Sequence, residues 1–482
     1  MKREFLINIV FLISINLLIK PFYIFGIDRT IQNTVGAETY GIYFALFNFT
    51  FLLQILNDFG IQQFNNRSIA QHPQLLQKYF PNILILKLLL GFIYLAIVFI
   101  TSWLSGYKVE VYHLIFFIAL NHILISLVFY LRSNITGLGM YRTDSLISSL
   151  DKLLLIIFCS LLLWGNLTDR PFQIEWFVFA QNFSWIITAL VAFIIVRKQL
   201  KSLQFRFNWP LLLSLLKKSY PFALVIFLMT VYTRIDAVMI ERMLPDGKVE
   251  AGIYAAAYRL LDACSVIGLL FAGLLLPMFS SMLKKGENVQ SLVRFSFQMI
   301  WAGAITLAVS VFFFREELMF WLYSDATPYY GKVLGYLILT FIAVSGIYIY
   351  STLLTANGSL MKMNLLFTIS IVINVVLNYF LIKNQKAAGA AIATLITQFF
   401  VLFGKMVLTK WEVGIVFYWK EALRIGLFIG AVTLTGYFSY RHLTFPWLVN
   451  FSITLLAGLA FAFVFRLIRL KMLFQSVRDK FN

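Results

Sequence analysis

Charge is what this sequence has least of. Only 13% of its 482 residues are Asp, Glu, Lys or Arg, against about 25% in soluble domains, so the chain cannot clothe a water-facing surface. Cysteine is scarcer still. Cys159 and Cys264 both fall inside apolar runs and neither sits in a CxxC pair, which excludes a disulfide framework; buried free cysteine behaves as a small hydrophobe. The four histidines, His72, His113, His122 and His442, show no ligand spacing, so no metal site is expected. There is no GxxxxGK[ST] loop and no glycine fingerprint after a strand, the two patterns that cradle nucleotide phosphates. No cofactor is therefore expected, and energy must come from an ion gradient, the substrate gradient or a partner chain, with proton or sodium coupling left open. Long polar segments are missing too: the longest breaks, around 61–79 and 198–214, are too short for a soluble domain.

What is present is apolar material in long runs, 61% hydrophobic residues with a mean hydropathy of +0.84. A spanning helix needs about 20 mostly apolar residues, and a helix satisfies its own backbone polar groups in lipid. The runs predict an all-α polytopic membrane protein of about fourteen spanning helices. The first six lie near 4–33, 38–60, 80–103, 111–136, 144–164 and 174–197. Six more lie near 215–242, 250–283, 292–314, 330–358, 363–383 and 387–409, and a last pair near 421–439 and 446–468. Met1-Lys2-Arg3 opens an apolar stretch too long for a signal-peptide core and without a convincing cleavage site, so it reads as a retained first span. The formal charge of +19 gathers on one side: with both termini cytoplasmic, the 197–218 connection alone carries Arg197, Lys198, Lys201, Arg206, Lys217 and Lys218. Positive loops stay inside, so topology explains the basic excess and no nucleic-acid partner is implied; membrane lipids are the surroundings.

The chain repeats itself. Gly41-Ile42-Tyr43-Phe44-Ala45 has a counterpart in Gly252-Ile253-Tyr254-Ala255-Ala256, and each follows an acid, Glu38 or Glu250. Upstream stand Asp28-Arg29 in one case and Arg234 with Asp236 in the other. Gly139-Met140-Tyr141-Arg142 parallels Gly358-Ser359-Leu360-Met361-Lys362, and the two offsets are 211 and 219 residues. Two six-helix halves, 1–200 and 201–410, with an added pair in 411–482, make a parallel repeat about an axis along the membrane normal. Such repeats are a transporter signature with the substrate site at their interface.

The motifs on this frame resemble a known family. Gly36-Ala37-Glu38-Thr39-Tyr40-Gly41, Asp58-Phe59-Gly60-Ile61 and Arg67-Ser68-Ile69-Ala70 are similar to its G-x-E-x-Y-G, D-x-G-L and R-x-I-A patterns. Asp236 with Gly252-Ile253-Tyr254-x-x-Ala257 follows in the second half. Asn374-x3-Asn378-x2-Leu381-Ile382 and Gly389-Ala390-Ala391-x-Ala393-Thr394 then close the series. In order and spacing the chain resembles the polysaccharide-transport branch of the superfamily that also holds the MATE drug exporters and the lipid II flippases. It departs at Lys383, where proline is usual, and at Asn33, where arginine is common. The resemblance implies export of lipid-linked oligosaccharide, an O-antigen or capsule repeat unit on undecaprenyl pyrophosphate, across a bacterial inner membrane. It also implies the polysaccharide polymerase machinery as a partner.

Charges inside the spans are the candidates for function, since each costs roughly 2.5–3.5 kcal/mol at a span centre and so faces a cavity or a partner. Lys87 and Arg132 lie near span ends and are expected to snorkel to water. Arg259 lies roughly 14 Å into its helix from Glu250 at a rise of about 1.5 Å per residue, and Asp262 shares its face at i, i+3. Arg234 with Asp236, and Lys20 with Asp28-Arg29, occupy matching depths of the seventh and first helices. One reading makes Arg259, Arg234, Arg29 and Lys20 a cationic cleft for a pyrophosphate headgroup, because guanidinium binds phosphate oxygens bidentately. The other has the charges neutralise one another and pin helix packing. Asp28, Asp236 and Asp262 then either couple transport to protons or sodium, or restrain the arginines. Pro21, Pro221 and Pro277 mark kinks within spans. A MATE-like drug or metabolite antiporter is the competing function, but it calls for an acidic cavity. A membrane enzyme needs a sizeable external loop that this chain lacks.

Overall fold

The structure, a computed structural model, describes residues 19, 21–165, 169–200 and 208–468. Most of the first expected span and Lys20 therefore lie outside the described residues, as does the end of the chain. Among the described residues every long element is a helix, and eleven are long and apolar enough to cross a membrane. A twelfth is counted if the bent pair Tyr23–Leu52 and Ile55–Gln71, angled at 45°, is one span.

By packing, the chain divides into two compact units, 1–255 and 256–482. In the first, a π-helical turn, Tyr23–Asp28, follows Pro21 and leads into α1 (Arg29–Leu52). Glycine breaks α1 at Gly36, whose φ of +81° is open to residues without a Cβ. Short helices α2 (Ile55–Asp58) and α3 (Ile61–Gln71) meet at Phe59 and Gly60, both left-handed; this turn is the D-x-G motif. Then come α4 (Leu76–Leu104), α5 (Tyr112–Gly137), α6 (Tyr141–Trp164), α7 (Ile174–Arg197) and α8 (Trp209–Met243). Their core gathers Ile69, Phe80, Tyr130, Ile135 and Val196.

The repeated Gly-Ile-Tyr acquires a physical reason here. A Cβ on Gly41 would stand 1.9 Å from the Lys248 carbonyl oxygen, and one on Gly252 would stand 2.0 Å from that of Ala37. The two copies of the motif pack backbone on backbone, which small residues alone permit inside a helical membrane protein. Gln32 Nε2 donates to the Gly252 carbonyl at 3.0 Å across the same contact.

Helix α9 (Gly247–Lys284) runs through the unit boundary. The second unit continues with α10 (Gln290–Phe313), the short α11 (Arg315–Leu322), α12 (Pro328–Ala356) and α13 (Leu360–Val413). A straight helix as long as α13 would measure about 80 Å, well over twice a hydrocarbon core of about 30 Å. Lys386, at φ +53° and ψ −132°, breaks it, at the turn expected between the spans near 363–383 and 387–409. The Tyr329 hydroxyl bridges this break, donating to the Gln385 carbonyl and accepting from the Ala388 N–H. A Cβ on Gly389 would meet the Leu381 carbonyl oxygen at 2.1 Å, so the small-residue motif after the break is what lets the chain fold back. Asn378 Nδ2 donates to Asn374 Oδ1 one turn away, with both side chains fully buried. The last pair, α14 (Trp419–His442) and α15 (Trp447–Val464), packs on α10 through Phe428, Val432 and Ala462. Gly458 lies against Thr306 there, and Gly436 against Phe313.

Of the three expected proline kinks, Pro21 precedes the π turn, Pro277 lies inside α9, and the side chain of Pro221 lies outside the described ones. Among the described residues, the positive-φ breaks within the long helices are at Gly36 and Lys386, where the chain leaves the helical basin without any ring constraint.

Candidate functional site

The carboxylate of Asp28, 2% exposed, sits at the end of the π turn. The Tyr40 hydroxyl donates to it, 2.9 Å from each oxygen, and the Tyr23 hydroxyl stands at 3.4 Å. Lys152 Nζ lies 4.7 Å from the centre of the Tyr23 ring and 3.4 Å from Asp151. Arg29 is half-buried on the next turn. In the repeat's other copy Asp236, 1% exposed, accepts from the Tyr254 hydroxyl at 2.9 Å. Arg234, half-buried, places its guanidinium 5.8 Å over the Phe51 ring. Each buried acid of the repeat thus has a tyrosine hydroxyl as donor, a charge-assisted hydrogen bond of the stronger kind. The spacing of acids and arginines does not announce these tyrosines; the signal for them was the repeated Gly-Ile-Tyr and the Thr39-Tyr40-Gly41 around it.

Arg259 and Asp262 belong to the second unit, one turn apart on α9 and both half-buried. Unit by unit, the described residues bring Asp28 together with Tyr40 and Tyr23, and Asp236 with Tyr254.

Two expected snorkelling residues are corrected. Lys87 is 4% exposed and its ammonium is ion-paired with Asp58, at 2.6 Å from Ser126 Oγ and 3.4 Å from the Asn57 carbonyl. The left-handed turn after Asp58 aims that carboxylate inward, so the lysine meets a partner before it can meet water. Arg132 is clasped by Asp144 through Nε at 2.7 Å and Nη2 at 3.1 Å, a bidentate pair. Two further lysines within spans acquire surroundings that the sequence does not show. One is Lys152, beside Tyr23; the other is Lys405, 1% exposed on α13, bonded to Ser351 Oγ and 4.7 Å from the Phe367 ring centre.

Outside the spans, Tyr107 donates to Glu241 at 3.1 Å while the Arg242 guanidinium lies 4.4 Å over its ring. Burial first, and the Glu241 charge second, push this phenol above its ordinary range. No group of three or more His, Cys, Asp or Glu side chains able to hold a metal occurs among the described residues.

Residues 5–283 match the family described as polysaccharide biosynthesis protein, well over half of the sequence. The chain belongs to this family. Its members are transporters rather than enzymes, so the membrane-enzyme reading is set aside. No curated protein matches the chain in sequence. Among solved structures, it is similar to the lipid II flippase MurJ in an inward closed conformation, with a TM-score of 0.72 at 15% identity, over 96% of this chain and 98% of that one. It is also similar to an inward-facing multidrug resistance MATE family transporter of the MOP superfamily, with a TM-score of 0.65 at 15% identity, over 84% and 98% of the two chains. A MOP superfamily transporter from Pyrococcus furiosus follows at 0.56 and 14% identity, over 85% and 94%. At such identities the likeness establishes the fold, a MurJ- and MATE-like helical bundle.

Proposed function

We propose that this polysaccharide biosynthesis protein is a flippase for oligosaccharide carried on undecaprenyl pyrophosphate. It would move an O-antigen, capsule or exopolysaccharide repeat unit across a bacterial inner membrane by alternating access. The family match over residues 5–283 carries the reading, and a lipid II flippase with the same fold is consistent with it. In this proposal the chain crosses the membrane fourteen times with both termini cytoplasmic, as two six-helix repeats and an added pair. The break at Lys386, which lets α13 supply two crossings, supports that count. Arg259, Arg234, Arg29 and Lys20 bind the pyrophosphate. Asp28, Asp236 and Asp262 restrain those arginines or carry the coupling ion, and the polymerase machinery receives the product. Tyrosine donors on Asp28 and Asp236 favour a structural share for these two acids, since their charge is stabilised whether or not substrate is bound.

The deciding experiment reconstitutes the full chain with a labelled lipid-linked oligosaccharide and follows its arrival in the opposite leaflet. Movement above protein-free vesicles is expected for at least one glycan of a panel, and none for any glycan overturns the reading. Arg259→Ala should abolish transport at unchanged membrane abundance. Loss of activity in proportion to abundance would instead assign Arg259 to packing.

A further inference from the structure

Two cavities in the second unit, of about 360 and 320 Å³, share the residues Gln290, Arg294, Gln298 and Tyr418 as a common wall. The first is the more polar of the two, with Asn288 and Ser291 at the start of α10 adding to that wall beside Phe295 and Leu467. The second runs between α10, α12, α13 and α14 and is walled by Phe297, Trp301, Tyr350, Phe403, Phe417 and Ile425. The more polar cavity at a helix end, sharing a wall with an aromatic one within the spans, has the polarity of one lipid, head first and chain behind.

The shared wall is built. Gln290 holds the 414–418 connection by two bonds to Val416, its Nε2 donating to the carbonyl at 2.7 Å and its Oε1 accepting from the N–H at 2.9 Å. Arg294 is ion-paired with Glu421 and lies 5.5 Å over the Tyr418 ring. Gln298 is 6% exposed and lines both chambers, so its amide and the Arg294 guanidinium stand together on the shared wall. The mouth is basic, since Lys284, Lys285, Arg294, Lys410, Lys420 and Arg424 outnumber Glu287, Glu412 and Glu421 in the two flanking segments. Basic segments at a membrane surface attract anionic lipid.

We infer that this double cavity holds an anionic phospholipid of the surrounding leaflet, its phosphate at Arg294 and Gln298 and one acyl chain in the aromatic chamber, pinning α14 to α10. The site shares no residue with those assigned to the transported substrate, and its test reads lipid occupancy, so it stands or falls separately from the transport reading.

Trp301 reports on the chamber from within; its indole N–H is fixed on the Ile342 carbonyl at 2.7 Å. The full chain is reconstituted in phosphatidylcholine vesicles containing a minor share of phosphatidylglycerol, with bromine on the acyl chains of one lipid or the other. Quenching of the Trp301 component is taken as the difference from Trp301→Phe. A preference of about fivefold for brominated phosphatidylglycerol is expected, the ratio given by the roughly 1 kcal/mol that one basic residue contributes at a charged surface. Gln298→Leu should lower that preference. Gly426→Leu should abolish the quenching, since a Cβ at Gly426 meets nothing within 4 Å and its side chain would fill the chamber without displacing the fold. Equal quenching by the two lipids would mean unselective boundary lipid and overturn the inference. So would the absence of any Trp301 quenching, or quenching that persists in Gly426→Leu.

Discussion

Lys87 in the first unit and Lys405 in the second are buried almost equally, 4% and 1% exposed, but in opposite company. Lys87 has the Asp58 carboxylate, a serine hydroxyl and a backbone carbonyl. Lys405 has a serine hydroxyl and an aromatic ring, and among the described residues no carboxylate within ion-pair reach. The first arrangement is a closed pair in which each charge depends on the other. The second is an amine resting on weak partners that lose little if it goes. Equal burial therefore predicts unequal consequences of mutation.

The largest expected effect breaks the closed pair. Asp58→Ala leaves the Lys87 ammonium buried and uncompensated, which costs about 3–5 kcal/mol and should show as a collapse of the thermal midpoint in detergent. Adding Lys87→Met to it should recover most of that loss, because replacing a buried pair by apolar residues is often neutral. Lys405→Met alone should leave the midpoint close to wild type. Were Lys405→Met as damaging as Asp58→Ala, the contrast between the two lysines would be wrong. The next effect concerns the repeat contact. Gly41→Ala drives a methyl into a backbone oxygen and should lie near the top of the about 1–3 kcal/mol typical of overpacking. Gly273→Ala, with nothing within 4 Å, should be neutral or stabilising through helix propensity. Equal midpoints for these two variants would show that the motif glycines do not set the helix approach.

The sequence made the helical bundle and the family legible, because each is written in hydropathy or in motif residues. Span length is carried by hydropathy, and close packing by glycine at Gly41, Gly252 and Gly389. The partners of the charges were less legible. Depth along a helix can be counted and predicts snorkelling for Lys87, whereas the neighbour that intercepts the head depends on where the Phe59-Gly60 turn points Asp58. Lys405 is hidden for a related reason: four residues from its expected span end, it looks like any interfacial lysine until α12 and α13 close over it. The tyrosines on Asp28 and Asp236 stood in the quoted motifs, but no spacing rule ties a hydroxyl to a carboxylate 12 or 18 residues away.

Those two acid–tyrosine pairs offer a finer comparison within the first unit. The Tyr40 hydroxyl stands 2.9 Å from both oxygens of Asp28, and the Tyr254 hydroxyl 2.9 Å from Asp236 Oδ2. Removing a hydrogen bond to a buried charged group costs about 1.5–3 kcal/mol. Tyr40→Phe and Tyr254→Phe should each fall in that range, measured by denaturation of the full chain. A larger loss for Tyr254→Phe would mean that the second copy of the repeat, not the first, relies more on its tyrosine.

The smallest effect lies at an exposed end of the second unit, where Glu412 is ion-paired with Lys362 and accepts from Ser359 Oγ at 3.0 Å. The hydrogen bonds from Lys362 and Ser359 hold the Glu412 carboxyl below its ordinary range. A depressed carboxylate contributes stability that is fully present above its unfolded pKa and is lost as pH falls through the folded one. At neutral pH, where the full contribution is present, Glu412→Gln should still change the midpoint barely at all, since exposed pairs are weak and screened by salt. The difference between wild type and variant should shrink further as pH falls below the ordinary carboxylate range and the wild-type carboxyl takes up its proton. A midpoint difference that grows on acidification would reverse that sign and place the stabilising charge elsewhere than on Glu412.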